Sequence, residues 1–217
     1  MRKRLTVITL LAIASTIGLS LINVHGDRST AEPVASKHIN YRLGTTQARM
    51  PIYNNLSMLE ELSDFIVVGH VSGEQGTYQV KAGNGEVIEE LGKTPFSIDT
   101  VIKGKEILEE NNRITVMEDG RFHEGIYYNL EGYVKMNDLD SYLLFLRNTG
   151  ENTYAINGSY QGKFNINQLN NNVLEFESSH ISAEQLKHAE YIGDDVHRHY
   201  YNELKDQVRQ KYSGMLD

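Results

Sequence analysis

The chain has 217 residues, 13 tyrosines, no tryptophan and no cysteine, with 21 basic residues against 29 acidic ones and a net charge of −8. The lack of cysteine excludes disulfides, thiolate metal centres and cysteine nucleophiles. Nucleic-acid binding is excluded as well: it needs clustered Lys and Arg to displace counterions, and beyond Arg2, Lys3 and Arg4 the remaining 18 basic and 29 acidic residues leave −11 with no basic cluster.

Arg2, Lys3 and Arg4 precede 20 uncharged residues, Leu5 to Val24, which is the layout of a secretory signal peptide. The run is also about as long as a helix that crosses the hydrocarbon core. Val24-His25-Gly26 offers small residues where a signal peptidase reads, so residues 1–26 are either a signal peptide cut before Asp27 or a retained single-pass anchor. Without cysteine, a thioether-linked lipid is excluded. The protein is expected outside the cytoplasm, secreted or held at the membrane by this segment alone.

Residues 27–55 mix Ser, Thr, Pro and charges with no sustained period and are expected to be a flexible tether. Leu56-Ser57-Met58-Leu59-Glu60-Glu61-Leu62 then reads as a short helical turn. It leads into Phe65-Ile66-Val67-Val68-Gly69-His70-Val71, a β-branched run expected as a strand buried on both faces, with Gly69 marking a bulge. Five glycines between 72 and 94, with Asn84-Gly85 among them, predict a long hairpin or flap. Phe96, Ile98 and Ile102 alternate with polar residues up to Lys103-Gly104, and Ile114 and Val116 repeat the pattern.

A Gly- and Tyr-rich connection precedes Tyr142-Leu143-Leu144-Phe145-Leu146, the most apolar pentamer beyond the leader and the expected centre of the core. Tyr154 and Ile156, Phe164 and Ile166, and Leu174 and Phe176 each alternate at period two, as hairpin strands do. From Ser182, which forms a capping box with Gln185, the period becomes helical through Leu186, Ala189, Val196, Tyr200, Leu204 and Val208. One long helix and two helices broken near Gly193-Asp194 both fit.

Three pieces together resemble known proteins: Leu62-Ser63-Asp64 with the strand that follows it, Val101-Ile102-Lys103-Gly104, and Tyr142 to Leu146 followed by Tyr154 and Gln161-Gly162-Lys163-Phe164. They resemble uncharacterised exported or membrane-anchored proteins of Gram-positive, Bacillus-like bacteria, and more distantly the netrin-like, TIMP-like branch of the OB-fold barrels. The resemblance covers roughly residues 56–177 and informs fold rather than function. Inhibition of metalloproteinases does not carry over, since it depends on an N-terminal cysteine and disulfides. The expected architecture is therefore mainly β: a small OB-like barrel of five or six strands over 56–178, a C-terminal α-helical appendage over 179–217, and an N-terminal signal or anchor helix.

Catalytic signatures are missing from the sequence. There is no G-x-S-x-G elbow around Ser159, no S-x-x-K before a helix, and Gly83-Asn84-Gly85 lacks the rest of a phosphate loop. Adjacent carboxylates such as Glu118-Asp119 point to opposite faces of a strand and do not form a dyad. His188, Asp195 and His199 would share one face of a continuous helix with donors suited to zinc, although no compact metal motif accompanies them and a solvated acidic helix explains them better. No cofactor is expected. Tyr127, Tyr128 and Tyr133, in a loop beside His123 and Glu124, are the candidate binding patch; core-capping tyrosines are the alternative. By elimination the expected function is a non-enzymatic extracytoplasmic binding module of the cell envelope. Its partner would be an envelope protein or a small ligand. A hydrolytic or metal-dependent enzyme using His and carboxylates, and a structural surface protein, are the competing readings.

Overall fold

β-branched and aromatic side chains fill the strands of this protein because they cover a pleated, half-buried surface well. The computed structural model describes residues 39–48, 50–105, 112–169, 179–193 and 195–216. The leader, and the strand expected at Leu174 and Phe176, lie outside the described residues. No helix among the described residues is long and apolar enough to cross a membrane.

The fold is mainly β with a C-terminal helix. Strand β1 spans Asn40–Thr46, helix α1 Leu56–Glu61, β2 Phe65–Val71, β3 Gly76–Lys81, β4 Val87–Lys103 and β5 Arg113–Glu118. They are followed by β6 Gly120–His123, β7 Ile126–Leu130, β8 Ser141–Gly150, β9 Thr153–Ile156, β10 Lys163–Asn165 and β11 His180–Ser182, then helices α2 Ala183–His188 and α3 Asp195–Leu216.

The larger sheet has the order β10-β8-β2-β4-β5-β9, and β8 also pairs with β9. Five pairings therefore run in a circuit: β2 with β4, β4 with β5, β5 with β9, β9 with β8, and β8 back to β2. All are antiparallel except β5 with β9. β2 is buried along most of its length as its composition implies, and the pairing of β2 with β4 shifts register between Val68 and Gly69, at the expected bulge. A Cβ on Gly69 would stand 2.0 Å from the Ser97 carbonyl oxygen, so this close approach requires glycine. The predicted flap is the hairpin of β3 with the first half of the 17-residue β4.

Leu143, Leu144, Phe145 and Leu146 of β8 are all fully buried at the centre of the main core. Asn55 caps α1 by accepting from the Met58 amide, and Leu56 and Leu59 face inward. The Ser182–Gln185 capping box is present at α2. The two-helix alternative is the one observed: the chain leaves helical geometry at Ala189, and Tyr191 bridges to Tyr133 before α3 begins. Gly132, with φ +79, permits that crossing; a Cβ there would lie 1.9 Å from the Ile192 carbonyl oxygen.

Three expectations are corrected. A second sheet, β11-β1-β7-β6, accompanies the larger one, and the loop read over 121–133 is in fact the β6–β7 hairpin and its exit. Part of the supposed tether is structural: β1 pairs parallel with β7 and antiparallel with β11, and Tyr53 is buried, its hydroxyl donating to Asn157 Oδ1 at 2.7 Å. Both partners of β1 lie some 80 or more residues away, and non-local pairing of that kind leaves little local signal. The C-terminal helix is more than an appendage, because Tyr201, Leu204, Val208 and Tyr212 belong to the main core. Tyr201, rather than Tyr200, faces inward and stacks on Phe164 with centroids 5.5 Å apart.

Candidate functional site

The residues expected to form a binding patch are separated by strand alternation. Along β7, Tyr127 points into the protein and is fully buried, while Tyr128 lies on the other face beneath the Arg121 guanidinium, 4.4 Å from its ring centroid. Tyr133 is also fully buried. His123 and Glu124 are exposed at the hairpin turn, where Glu124 and Gly125 both have positive φ. The tyrosine patch is thus corrected: two of its rings are core, and the five residues do not converge.

The metal candidates do not converge either. His188 ends α2 and sits 3.1 Å from Glu184, and His199 on α3 sits 3.2 Å from Glu203, with the non-helical stretch between them removing the shared face. The Asp195 side chain lies outside the described part of the structure. Among the described residues no group of three His, Asp or Glu is arranged to hold a metal ion.

Burial instead gathers an ionic cluster at the end of β5. Glu118 is fully buried, with Lys135 Nζ 2.8 Å from Oε1. Thr94 donates to the same oxygen, while Tyr133 and the Met136 amide donate to Oε2 at 2.7 and 2.8 Å. Burial alone would push the Glu118 carboxyl up, but the Lys135 ammonium and the hydrogen bonds from Lys135, Met136 and Thr94 outweigh it and hold the group below the usual carboxylate range. Its sequence neighbour Asp119, on the other face of the chain, is pushed up by burial. Lys163 is buried nearby: its ammonium donates to the Val134 carbonyl and lies 4.9 Å from the Tyr133 ring centroid. Burial pushes Lys163 down to about 8, with Glu118 opposing. A second buried pair, Lys205 with Glu190, ties α3 to the stretch that precedes it.

This cluster fixes residues 133–136, and Val134, Lys135 and Met136 among them form one wall of a cleft of about 370 Å³ between the sheets. Its interior is apolar and aromatic, with Val71 at the end of β2, Tyr41 of β1, Phe122 of β6, Val134, Met136 and Leu186 of α2. The Tyr41 and Phe122 rings are 4.7 Å apart and Phe122 stands 4.9 Å from Tyr127, forming an aromatic corner. Phe122 is 44% exposed, so one part of this corner meets solvent. Gln75, in the segment joining β2 to β3, closes one side by donating to the Met136 carbonyl at 2.8 Å. Glu74, Asp138 and Lys187 stand at the rim. Chemically the arrangement can hold an apolar group away from water and meet polar groups at its mouth.

Sequence reasoning missed this site for two reasons. Tyr41 lay in a stretch read as tether, and Phe122 in a stretch read as loop. The Glu118-Asp119 pair did carry a signal: one of two adjacent strand carboxylates must face inward, and an inward carboxylate needs a cation. No protein-family model matches the chain, and no curated protein matches it.

Proposed function

We propose that the chain is a non-enzymatic, extracytoplasmic binding module of the cell envelope, and that its ligand, a small molecule or an apolar side chain of an envelope protein, enters the cleft between Phe122 and Met136. The observation that carries this reading is a preformed apolar cleft with a half-exposed aromatic corner, of the size ligand pockets have. The leader, with Arg2, Lys3 and Arg4 ahead of an uncharged run, supports export. The strand circuit supports an OB-like barrel. Taking β2, β4, β5, β8 and β9 as strands one to five, the circuit runs one-two-three-five-four-one, with strands three and five parallel. OB-type barrels bind ligands through the connection between their first two strands, among others, and here Gly73, Glu74 and Gln75 of that connection line the cleft.

The test is binding of the neutral fluorophore N-phenyl-1-naphthylamine to the protein recovered from its host. Saturable binding at one site is expected, and it should be lost in Ala183→Trp, which fills the cleft from the first turn of α2. Binding that never saturates, or that survives in an Ala183→Trp variant with an unchanged melting temperature, overturns the reading.

A further inference from the structure

We propose that the cleft selects an amphipathic organic cation, a ligand with an aromatic or aliphatic body carrying an ammonium group that is held at the rim by Glu74 and Asp138. The inference rests on the cleft being a binding site and adds the chemical class of its occupant.

Charge at the cleft decides the class. Four charged side chains line it: Glu74, Lys135, Asp138 and Lys187. Both cations are already engaged. Lys135 points inward, its ammonium 2.8 Å from Glu118 Oε1 and 2.7 Å from Thr94 Oγ1. Lys187 faces Glu184 at 3.8 Å, one turn back on α2. Among the described residues no cation pairs with Glu74 or Asp138, so the two carboxylates are the charges left to meet a ligand. Both are exposed.

The apolar wall points the same way. The π faces of Tyr41 and Phe122, 4.7 Å apart, attract a cation through the ring quadrupole and offer nothing comparable to an anion. A net charge of −8 over the whole chain adds a field that concentrates cations at its clefts and repels anions. A neutral apolar ligand would use the wall and leave the two carboxylates idle. A simple inorganic cation would use the carboxylates and leave the wall idle. Only a ligand with both parts uses both.

Three naphthalenes of matched shape separate these cases by isothermal titration calorimetry at pH 7: 1-naphthylmethylammonium, 1-naphthylmethanol and 1-naphthylacetate. The ammonium compound is expected to bind about tenfold more tightly than the alcohol, and the carboxylate more weakly than the alcohol, as two rim charges and one ring face imply. In the double variant Glu74→Gln, Asp138→Asn the ammonium should fall to the level of the alcohol, while the affinity of the alcohol stays as in wild type. Molar salt should reduce the preference in wild type. If the alcohol binds in a manner lost in Ala183→Trp but the three charges make no difference, or the preference persists in the double variant, the cation inference fails and the cleft stands as a binding site. If the alcohol shows no saturable binding, or binds Ala183→Trp equally well, the cleft reading itself fails.

Discussion

The Lys163 side chain lies wholly inside the protein, with the Val134 carbonyl as hydrogen-bond acceptor and the Tyr133 ring 4.9 Å from its ammonium. Burial lowers its affinity for the proton to about 8, whereas in the unfolded chain it holds the proton to the ordinary lysine value near 10.5. Between those two values the unfolded state binds more protons than the folded one, so stability rises with pH across the window. One unit corresponds to about 1.4 kcal/mol, so Lys163 should contribute about 2 kcal/mol of added stability between pH 8 and pH 9.5. Lys163→Met removes the titrating group, and its urea-unfolding free energy should lack that rise; equal pH slopes for the two proteins would show that Lys163 is not titrating from a buried site. The window closes near pH 10, where tyrosines ionise in the unfolded chain while Tyr127 and Tyr133 resist ionisation in the folded one because of burial. Glu118 illustrates the opposite case, a buried charge stabilised by a salt bridge and a full set of hydrogen-bond donors.

At the scale of elements, β8 is the strand on which the larger sheet depends. It pairs with β2 on one side, and with β10 and β9 on the other at different points along its length. Five consecutive residues, Tyr142 to Leu146, are buried on both faces. Removing a buried leucine costs the transfer free energy of its methyl groups and leaves a cavity, so Leu144→Ala should destabilise by about 2 to 5 kcal/mol. A denaturant midpoint within error of wild type would contradict the central placement of β8. Element ends are set by local chemistry that the sequence displays: Asn55 caps α1, and Ser182 with Gln185 caps α2. The interior of α3 follows the same logic, with Tyr201, Leu204, Val208 and Tyr212 returning to one face at helical spacing.

For the whole molecule, that face makes α3 part of the fold. Tyr201 stacks on Phe164 and its hydroxyl donates to the Lys163 carbonyl at 3.0 Å, and Tyr212 meets Phe145 at 6.4 Å. Glu60 of α1 receives both Lys211 and Tyr212 of α3, so the helix also clamps the entry to β2. A chain ending at Gly193 should therefore lose cooperative unfolding and bind hydrophobic dyes, because it exposes Phe164 and the buried face of β8 while leaving Glu190 without Lys205. A truncated chain that melts in a single sharp transition near the wild-type temperature would show instead that the helix is dispensable.

What the sequence determined by itself was local. A β-branched run placed β2 and the apolar pentamer Tyr142–Leu146 placed β8, Asn84-Gly85 placed the β3–β4 hairpin, the glycine in Phe65–Val71 placed a bulge, and the change of period at Ser182 placed the start of the helices, because each of these rests on residues within a few positions of one another. Only the tertiary structure decided where the cleft lies and what lines it. Tyr41, Phe122, Met136 and Leu186 come from four separate segments. β1 finds its strand partners 80 and more residues away. The inward turn of Tyr127 and Tyr133 depended on a hairpin and on a buried carboxylate that no local period reveals. A strand's face is chosen by what it packs against, and for β1, β6 and β7 that partner is distant in sequence.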